Sequence, residues 1–281
     1  MAIVAPAGPF DRESFEAGVS LLKTRYSPRF TDGLFAQDRY LAGDDARRGA
    51  ELNEAFRAEG IKAVFTARGG YGAMRLLPSL KLGPPRIFAG FSDVTAVHGA
   101  LQAKGVRSCH APVLTQLGKQ PRAVVDRFFA MLESPAPAEA LDGSCVVAGV
   151  AEGPLIGGNL SVLTRLIGTP FMPPTKGAVL LLEDVGERPY RLDRMWTHLK
   201  LAGAFDAAAG IVLGDFTGCE EKDAAYGSAD VLTGLARETG LPCARGFAIG
   251  HGATNFPVAL GAKVRLDATA GRLDFLEGLV G

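Results

Sequence analysis

The chain has 281 residues, is 47% hydrophobic and balances 30 basic against 30 acidic side chains, which is material for one large domain or two ordinary ones at zero formal charge. That balance excludes a nucleic-acid or membrane-surface footprint and extended disorder, and favours a small neutral or zwitterionic ligand. The four cysteines, Cys109, Cys145, Cys219 and Cys243, are scattered with no C-x-x-C pair, so they read as reduced thiols rather than a disulfide framework. No secretory leader and no apolar run of membrane length is visible, which gives the expectation of a soluble cytoplasmic protein.

In chain order, Ala2-Ile-Val-Ala5 reads as a short, clipped first strand running into a Pro/Gly turn. Asp11 caps a helix with Phe15, Val19 and Leu22 on one face, ending near Arg25. Asp44 caps a second, with Ala46, Leu52, Ala55 and Phe56 on one side and the charges Arg47, Arg48, Glu51 and Glu54 mostly on the other. Ile61 to Thr66 is a buried strand that ends in Arg68-Gly-Gly-Tyr-Gly72. Arg86 to His98 begins as a strand, stops at Gly90 and Ser92, and becomes helical. Strands alternating with helices predict an α/β domain with a parallel sheet, whose ligands bind beyond the strand C-termini.

The composition turns linker-like at Leu132-Glu-Ser-Pro-Ala-Pro-Ala-Glu-Ala140, after an amphipathic helix ending near Met131. The expected division is an α/β domain over 1–134, a linker over 135–148, and a smaller strand-rich, barrel-like domain over 149–281. In the last, strands are expected at Ala178 to Leu182, Gly210 to Leu213, Gly246 to Ile249 and Val264 to Leu266, after one at Cys145 to Val150. Helices are expected near Leu160 to Ile167, Arg191 to Leu201 and Ala229 to Thr239.

Gly90-Phe-Ser-Asp93 has the layout of a nucleophile elbow without its second glycine, and Ser92 with Asp93 before a helix is equally what an N-cap supplies. The Gly69-Gly70-Tyr71-Gly72 turn should lie at the same sheet edge. Its spacing fits no nucleotide-binding fingerprint, whereas a side-chain-free backbone near Gly70 could bring one N–H to a developing oxyanion and Asp93 N–H the other. A serine nucleophile needs a base, and the chain has four histidines. His98, six residues after Ser92 on the following helix, reads as packing or surface; His110, near a strand end that could line the cleft, and His198, within an amphipathic helix, read as structural. His251, between Gly250 and Gly252 on a loop, is free to reach across a cleft. Its orienting carboxylate is sought at the end of the apolar run Gly177 to Leu182, where Glu183 and Asp184 point to opposite faces and only one can serve.

At this point the chain resembles the LD-carboxypeptidase family of serine peptidases, often called S66, which includes muramoyl-tetrapeptide carboxypeptidases and microcin C7 immunity peptidases. The matching segments are Ile3-Val-Ala-Pro6, Ala42-Gly-Asp-Asp-Ala-Arg47, Ala67-Arg-Gly-Gly-Tyr-Gly72, Gly90-Phe-Ser-Asp-Val-Thr-Ala96, Gly157-Gly-Asn-Leu160, Leu182-Glu-Asp-Val-Gly-Glu-Arg-Pro-Tyr190 and Gly250-His251. The resemblance implies Ser92 as nucleophile, Glu183 as acid and His251 as base, an oxyanion hole near Gly70 and Asp93, and Asn159 as a substrate contact. It further implies a homodimer, no metal or cofactor, and a small peptide substrate: a muropeptide tetrapeptide losing its terminal D-alanine during cell-wall recycling. The alternatives are a microcin C7-type peptide-nucleotide hydrolase and a non-catalytic small-molecule-binding α/β protein. The single tryptophan, Trp196, is expected to be packed in its helix.

Overall fold

The computed structural model describes residues 1–84 and 86–280. The first half runs β1 (Ala2–Val4), α1 (Arg12–Lys23), α2 (Asp45–Arg57), β2 (Ala63–Thr66), β3 (Ile87–Gly90), α3 (Thr95–Gln102), β4 (Ser108–His110), α4 (Leu114–Leu117) and α5 (Arg122–Glu133). The second runs β5 (Leu141–Asp142), β6 (Ser144–Val147), β7 (Val150–Asn159), α6 (Leu160–Thr164), β8 (Val179–Val185), α7 (Pro189–Leu201), β9 (Gly210–Thr217), α8 (Ser228–Thr239), β10 (Cys243–Arg245), β11 (Val258–Leu260), β12 (Lys263–Asp267) and β13 (Arg272–Phe275). Short 3-10 turns include Ala73–Ser79 and Ser92–Val94. Among the described residues no helix is long and apolar enough to cross a membrane.

The helix starts are set by the predicted caps. Asp11 Oδ1 accepts from Ser14 N–H at 2.7 Å and Asp44 Oδ1 from Arg47 N–H at 2.7 Å, each satisfying a donor that the first helical turn leaves free. β1 to β4 lie side by side and parallel, with β11 antiparallel beside β4. Side-chain alternation divides them between two cores: Ile3 and Phe65 pack with Phe15, Leu22, Leu114 and Phe128, whereas Val4, Val64 and Phe88 pack with Leu52, Phe56, Val97 and Leu101. Arg48 departs from its expected place on the charged face of α2. It is fully buried, because its guanidinium reaches the carbonyls of Pro6 and Gly72 and the Asp45 carboxylate, which compensate its desolvation.

The second sheet has eight strands in the order β5-β13-β12-β7-β8-β9-β10-β6, with β7 to β10 parallel. Its two edge strands, β5 and β6, are separated in sequence only by Gly143, so the sheet curls until its ends meet in a nearly closed barrel. Gly143 N–H donates to Gly271 O at 2.6 Å on one side of the seam, and a Cβ on Gly143 would stand 2.6 Å from Arg245 O on the other. Along β8, Val179 and Leu181 face the interior with Phe247, Val264 and Leu273, and Leu180 and Leu182 face Trp196, Leu199 and Leu163 of the covering helices. Part of the segment expected as linker, 141–147, thus forms β5 and β6, and β11 returns from the C-terminal half to the first sheet. The strand expected at Gly246 to Ile249 is instead Cys243–Arg245, ended by Gly246 at φ +80°; Phe247 and Ile249 are buried in an irregular segment.

Candidate active site

The C-terminal edge of the first sheet meets the C-terminal edge of the parallel strands of the second, and the predicted site residues gather at that junction. β3 ends at Gly90, whose φ is +152° and where a Cβ would lie 2.1 Å from Thr66 Oγ1 on β2. Only glycine lets the strand leave the sheet there. Ser92 follows at φ +68°, a left-handed conformation that a serine adopts at a cost and that lifts its hydroxyl clear of the sheet. His98, predicted as a packing or surface residue, is buried and holds the elbow from below. Its Nε2–H donates to Gly90 O at 2.8 Å while Nδ1 accepts from Ser108 Oγ at 2.7 Å, and burial pushes its pKa down to about 3, so the ring stays neutral.

His251 lies across the junction. Its Nε2 is 3.1 Å from Ser92 Oγ and its Nδ1 is 2.6 Å from Glu183 Oε2. The glycines beside it serve close approach rather than looseness: a Cβ on Gly250 would stand 2.5 Å from Glu183 Oε2, and one on Gly252 2.4 Å from Asp215 Oδ2. Gly250 N–H donates to Asn255 Oδ1 at 2.9 Å, and the Phe91 ring lies 4.6 Å from the imidazole, so the histidine is held, not swinging.

The choice between the two acids at the end of β8 is visible in the geometry. Glu183, fully buried, faces His251. Asp184 points to the opposite face, where Oδ1 accepts from Asn159 Nδ2 at 3.0 Å and from Val185 N–H at 2.8 Å, and Oδ2 from Ser161 N–H at 2.8 Å. Asn159 is 5% exposed and its Oδ1 caps α6 through Val162 N–H at 3.1 Å, so its side chain is engaged in bracing β7, β8 and α6. Only one amide hydrogen is left for any contact with a substrate.

The glycine turn after β2 rests on the serine. A Cβ on Gly69 would be 2.9 Å from Ser92 Cβ and 3.0 Å from Ser92 Oγ, and Gly70 follows at φ +107° with no protein acceptor for its N–H among the described residues. Three bonds fix the turn: Gly8 N–H to Gly69 O at 3.0 Å, Arg48 Nη1 to Gly72 O at 3.0 Å, and Ala73 N–H to Asp93 Oδ2 at 2.8 Å. Asp93 itself is an early residue of the 3-10 turn, where backbone N–H groups lack partners within the turn. A Gly69→Ala variant should therefore displace the serine without unfolding the chain. We expect kcat to fall on the order of 10²-fold, as for a reacting group misplaced by about 1 Å, with the thermal midpoint little changed.

Burial raises the Glu183 carboxyl pKa, but His110 and His251 outweigh it and leave the group below the usual carboxylate range. For His251, burial lowers the pKa and the Glu183 hydrogen bond outweighs it, helped by the charges of Asp184 and Asp215, so the net direction is upward. Burial also pushes Asp93, Asp184 and Asp215 each up to about 6. His110 lies where the sequence put it, near a strand end that could line the cleft, but its neighbour Glu183 was not anticipated. It is fully buried at the end of β4, opposite Gly90 in register, and its Nε2 lies 4.0 Å from Glu183 Oε1. Its position at a strand end beside the cleft was the available signal; nothing in the amphipathic pattern of α2 marked Arg48.

Two sheets meeting at their carboxyl ends, with a strained serine on one and a histidine–carboxylate pair facing it from the other, define a mixed α/β scaffold with a serine–histidine–carboxylate line at the junction of a parallel sheet and a nearly closed barrel. The chain belongs to the LD-carboxypeptidase family: the LD-carboxypeptidase N-terminal domain matches residues 1–111 and the C-terminal domain residues 152–266. It is 34% identical to the murein tetrapeptide carboxypeptidase of Pseudomonas aeruginosa over 91% of this chain and 89% of that protein. It is 27% identical to the microcin C7 self-immunity protein MccF of Escherichia coli over 94% and 88%. The crystal structure of muramoyltetrapeptide carboxypeptidase from Oxalobacter formigenes superposes with a TM-score of 0.89 at 28% identity, covering 100% of both chains.

Proposed function

We propose that this protein is a serine-type LD-carboxypeptidase that removes the terminal D-alanine from muropeptide tetrapeptides in the cytoplasm, as a homodimer. The observation that carries the reading is the unbroken line from Ser92 Oγ to His251 Nε2 at 3.1 Å and from His251 Nδ1 to Glu183 Oε2 at 2.6 Å, assembled from two sheets. The family membership and the tetrapeptide carboxypeptidase among the relatives support the substrate.

In this mechanism Glu183 accepts the Nδ1–H of His251, which leaves Nε2 as the acceptor facing the serine. His251 takes the Ser92 proton as Oγ attacks the carbonyl before the terminal residue. The N–H groups of Gly70 and Asp93 receive the oxyanion, on a turn whose three anchoring bonds are formed before substrate arrives. His251 then gives the proton to the departing amine, and water, deprotonated by the same imidazole, releases the acyl group from Ser92. Incubating the purified protein with a muramoyl tetrapeptide should yield the tripeptide and one equivalent of D-alanine by mass and chiral chromatography. No alanine release would overturn the reading.

The charge state of His251 gives a further expected result. Because the base must be neutral and its pKa is raised, the acid limb of kcat/KM should lie above the ordinary imidazole value of about 6.5. Stability should run the other way. His251, Asp93, Asp184 and Asp215 bind protons more tightly folded than unfolded, so their contribution is present at low pH and is lost as pH rises through the folded-state values. The depressed Glu183 contributes stability above its unfolded value and loses it only in more acidic solution. His98, held near 3 by burial, opposes these groups and adds stability as pH rises toward its unfolded value of about 6.5. Above about pH 6.5 that opposition is gone, so thermal midpoints followed from there to about pH 8 should fall while kcat/KM rises.

A second reading, hydrolysis of a microcin C7-type peptide-nucleotide, draws on the MccF relationship and on an exposed aromatic pair, Tyr40 and Tyr71, whose rings lie 5.6 Å apart edge to face beside the glycine turn. Trp196 is fully buried and offers no stacking surface. Competition between the tetrapeptide and an aminoacyl sulfamoyl nucleoside for the same enzyme separates the two: tetrapeptide specificity requires the larger kcat/KM for the muropeptide.

A further inference from the structure

Glu183 is a fully buried carboxylate, yet the histidine it orients occupies only one of its oxygens. Among the described residues Oε1 has no hydrogen-bond partner, and neither ring nitrogen of the fully buried His110 has one. These orphans face each other, with His110 Nε2 4.0 Å from Glu183 Oε1. A carboxylate removed from water with a single donor is costly, and so is a buried imidazole N–H with none. A ring shift of about 1 Å would bring the pair to hydrogen-bonding distance and satisfy both.

From this juxtaposition we infer that His110 is a positioning residue for the proposed reaction: it donates Nε2–H to Glu183 Oε1, so that the carboxylate is clamped between two imidazoles, one from each sheet. The inference rests on the reading of Glu183 as the acid that orients His251. Two features carry it further. His110 sits on β4 directly opposite Gly90 in register, so its placement is tied to the strand that delivers Ser92. The Phe91 ring lies 5.6 Å from His110, edge to face, and 4.6 Å from His251, tilted, so one ring packs against both imidazoles. The first sheet thus presents Ser92 to His251 and His110 to Glu183, and both members of the pair from the second sheet are held from across the junction. The position of the donated proton follows from the same inventory: Nε2 is the ring nitrogen that faces Glu183 Oε1, and Nδ1 has no partner among the described residues.

The test combines variants with a measurement on the unaltered protein. For His110→Phe we expect kcat on muramoyl tetrapeptide to fall on the order of 10²-fold, with KM within about twofold. The low-field proton resonance of the His251 Nδ1–H should shift or broaden. His110→Gln, whose amide keeps a donor, should recover most of both at an equal thermal midpoint. Unchanged kcat and resonance in His110→Phe, or equal losses in the Phe and Gln variants, would overturn the inference. Nitrogen-15 spectra of histidine-labelled wild type test it without any variant: His110 must carry a proton on Nε2, and a ring protonated on Nδ1 alone contradicts it. These spectra are read whether or not the tetrapeptide is hydrolysed, so failure of the proposed activity is distinguishable from failure of the clamp.

Discussion

A Ser92→Ala enzyme is expected to lose kcat by about 10⁶-fold on muramoyl tetrapeptide while still binding it, the scale found when the nucleophile of a serine triad is removed. What remains after the substitution is the His251–Glu183 pair and the glycine turn, none of which forms a bond to the carbonyl carbon. The fold should not suffer, because alanine is no worse than serine in the left-handed conformation at this position. Ser92→Gly sharpens the point. Glycine relieves the positive φ, so this variant should be equally inactive and more stable by about 1 kcal/mol in denaturant unfolding. A serine held there at a cost to folding is what a functional elbow predicts and what a simple helix cap does not, since a cap residue has extended rather than left-handed backbone.

The second large effect is expected at Glu183. Glu183→Gln keeps the shape of the side chain and removes the charge that stabilises an imidazolium, so kcat should drop about 10⁴-fold with little change in KM. The glutamine amide would also present N–H groups toward His251 or His110, where the structure requires acceptors for one ring and favours them for the other. Asp184→Asn, one residue along, offers the contrast. Its carboxylate accepts from Asn159, Ser161 and Val185 on the opposite face of β8, so its replacement should affect stability far more than the chemical step. A large kcat loss in Asp184→Asn together with a small one in Glu183→Gln would reverse the assignment of the two acids.

Much of this arrangement was legible in the chain itself. The caps at Asp11 and Asp44, the parallel strands ending at Gly69–Gly72 and Gly90–Ser92, and the alternation that sends Glu183 and Asp184 to opposite faces all follow from local periodicity and turn chemistry. The same local rules failed where long-range packing decides. Arg48 sits on what reads as a solvated helix face, but carbonyls from Pro6 and Gly72, distant in sequence, turn it inward. The closure of the second sheet through Gly143 lay within a segment whose prolines and small residues read as linker. β11 crosses back to the first sheet, a pairing of Val258 with His110 that no local pattern announces. The glycines around His251 suggested a mobile loop. In the fold they admit the Glu183 and Asp215 carboxylates instead.

The claim that Ser92 forms a covalent intermediate with the peptide is tested most directly with a depsipeptide in which D-lactate replaces the terminal D-alanine, so that acylation outruns deacylation. Rapid quenching and peptide mapping by mass spectrometry should place the acyl group on the fragment containing Ser92, with none on Ser92→Ala. Steady hydrolysis of the depsipeptide by Ser92→Ala at the wild-type rate, or an acyl group on any other residue, would contradict the account.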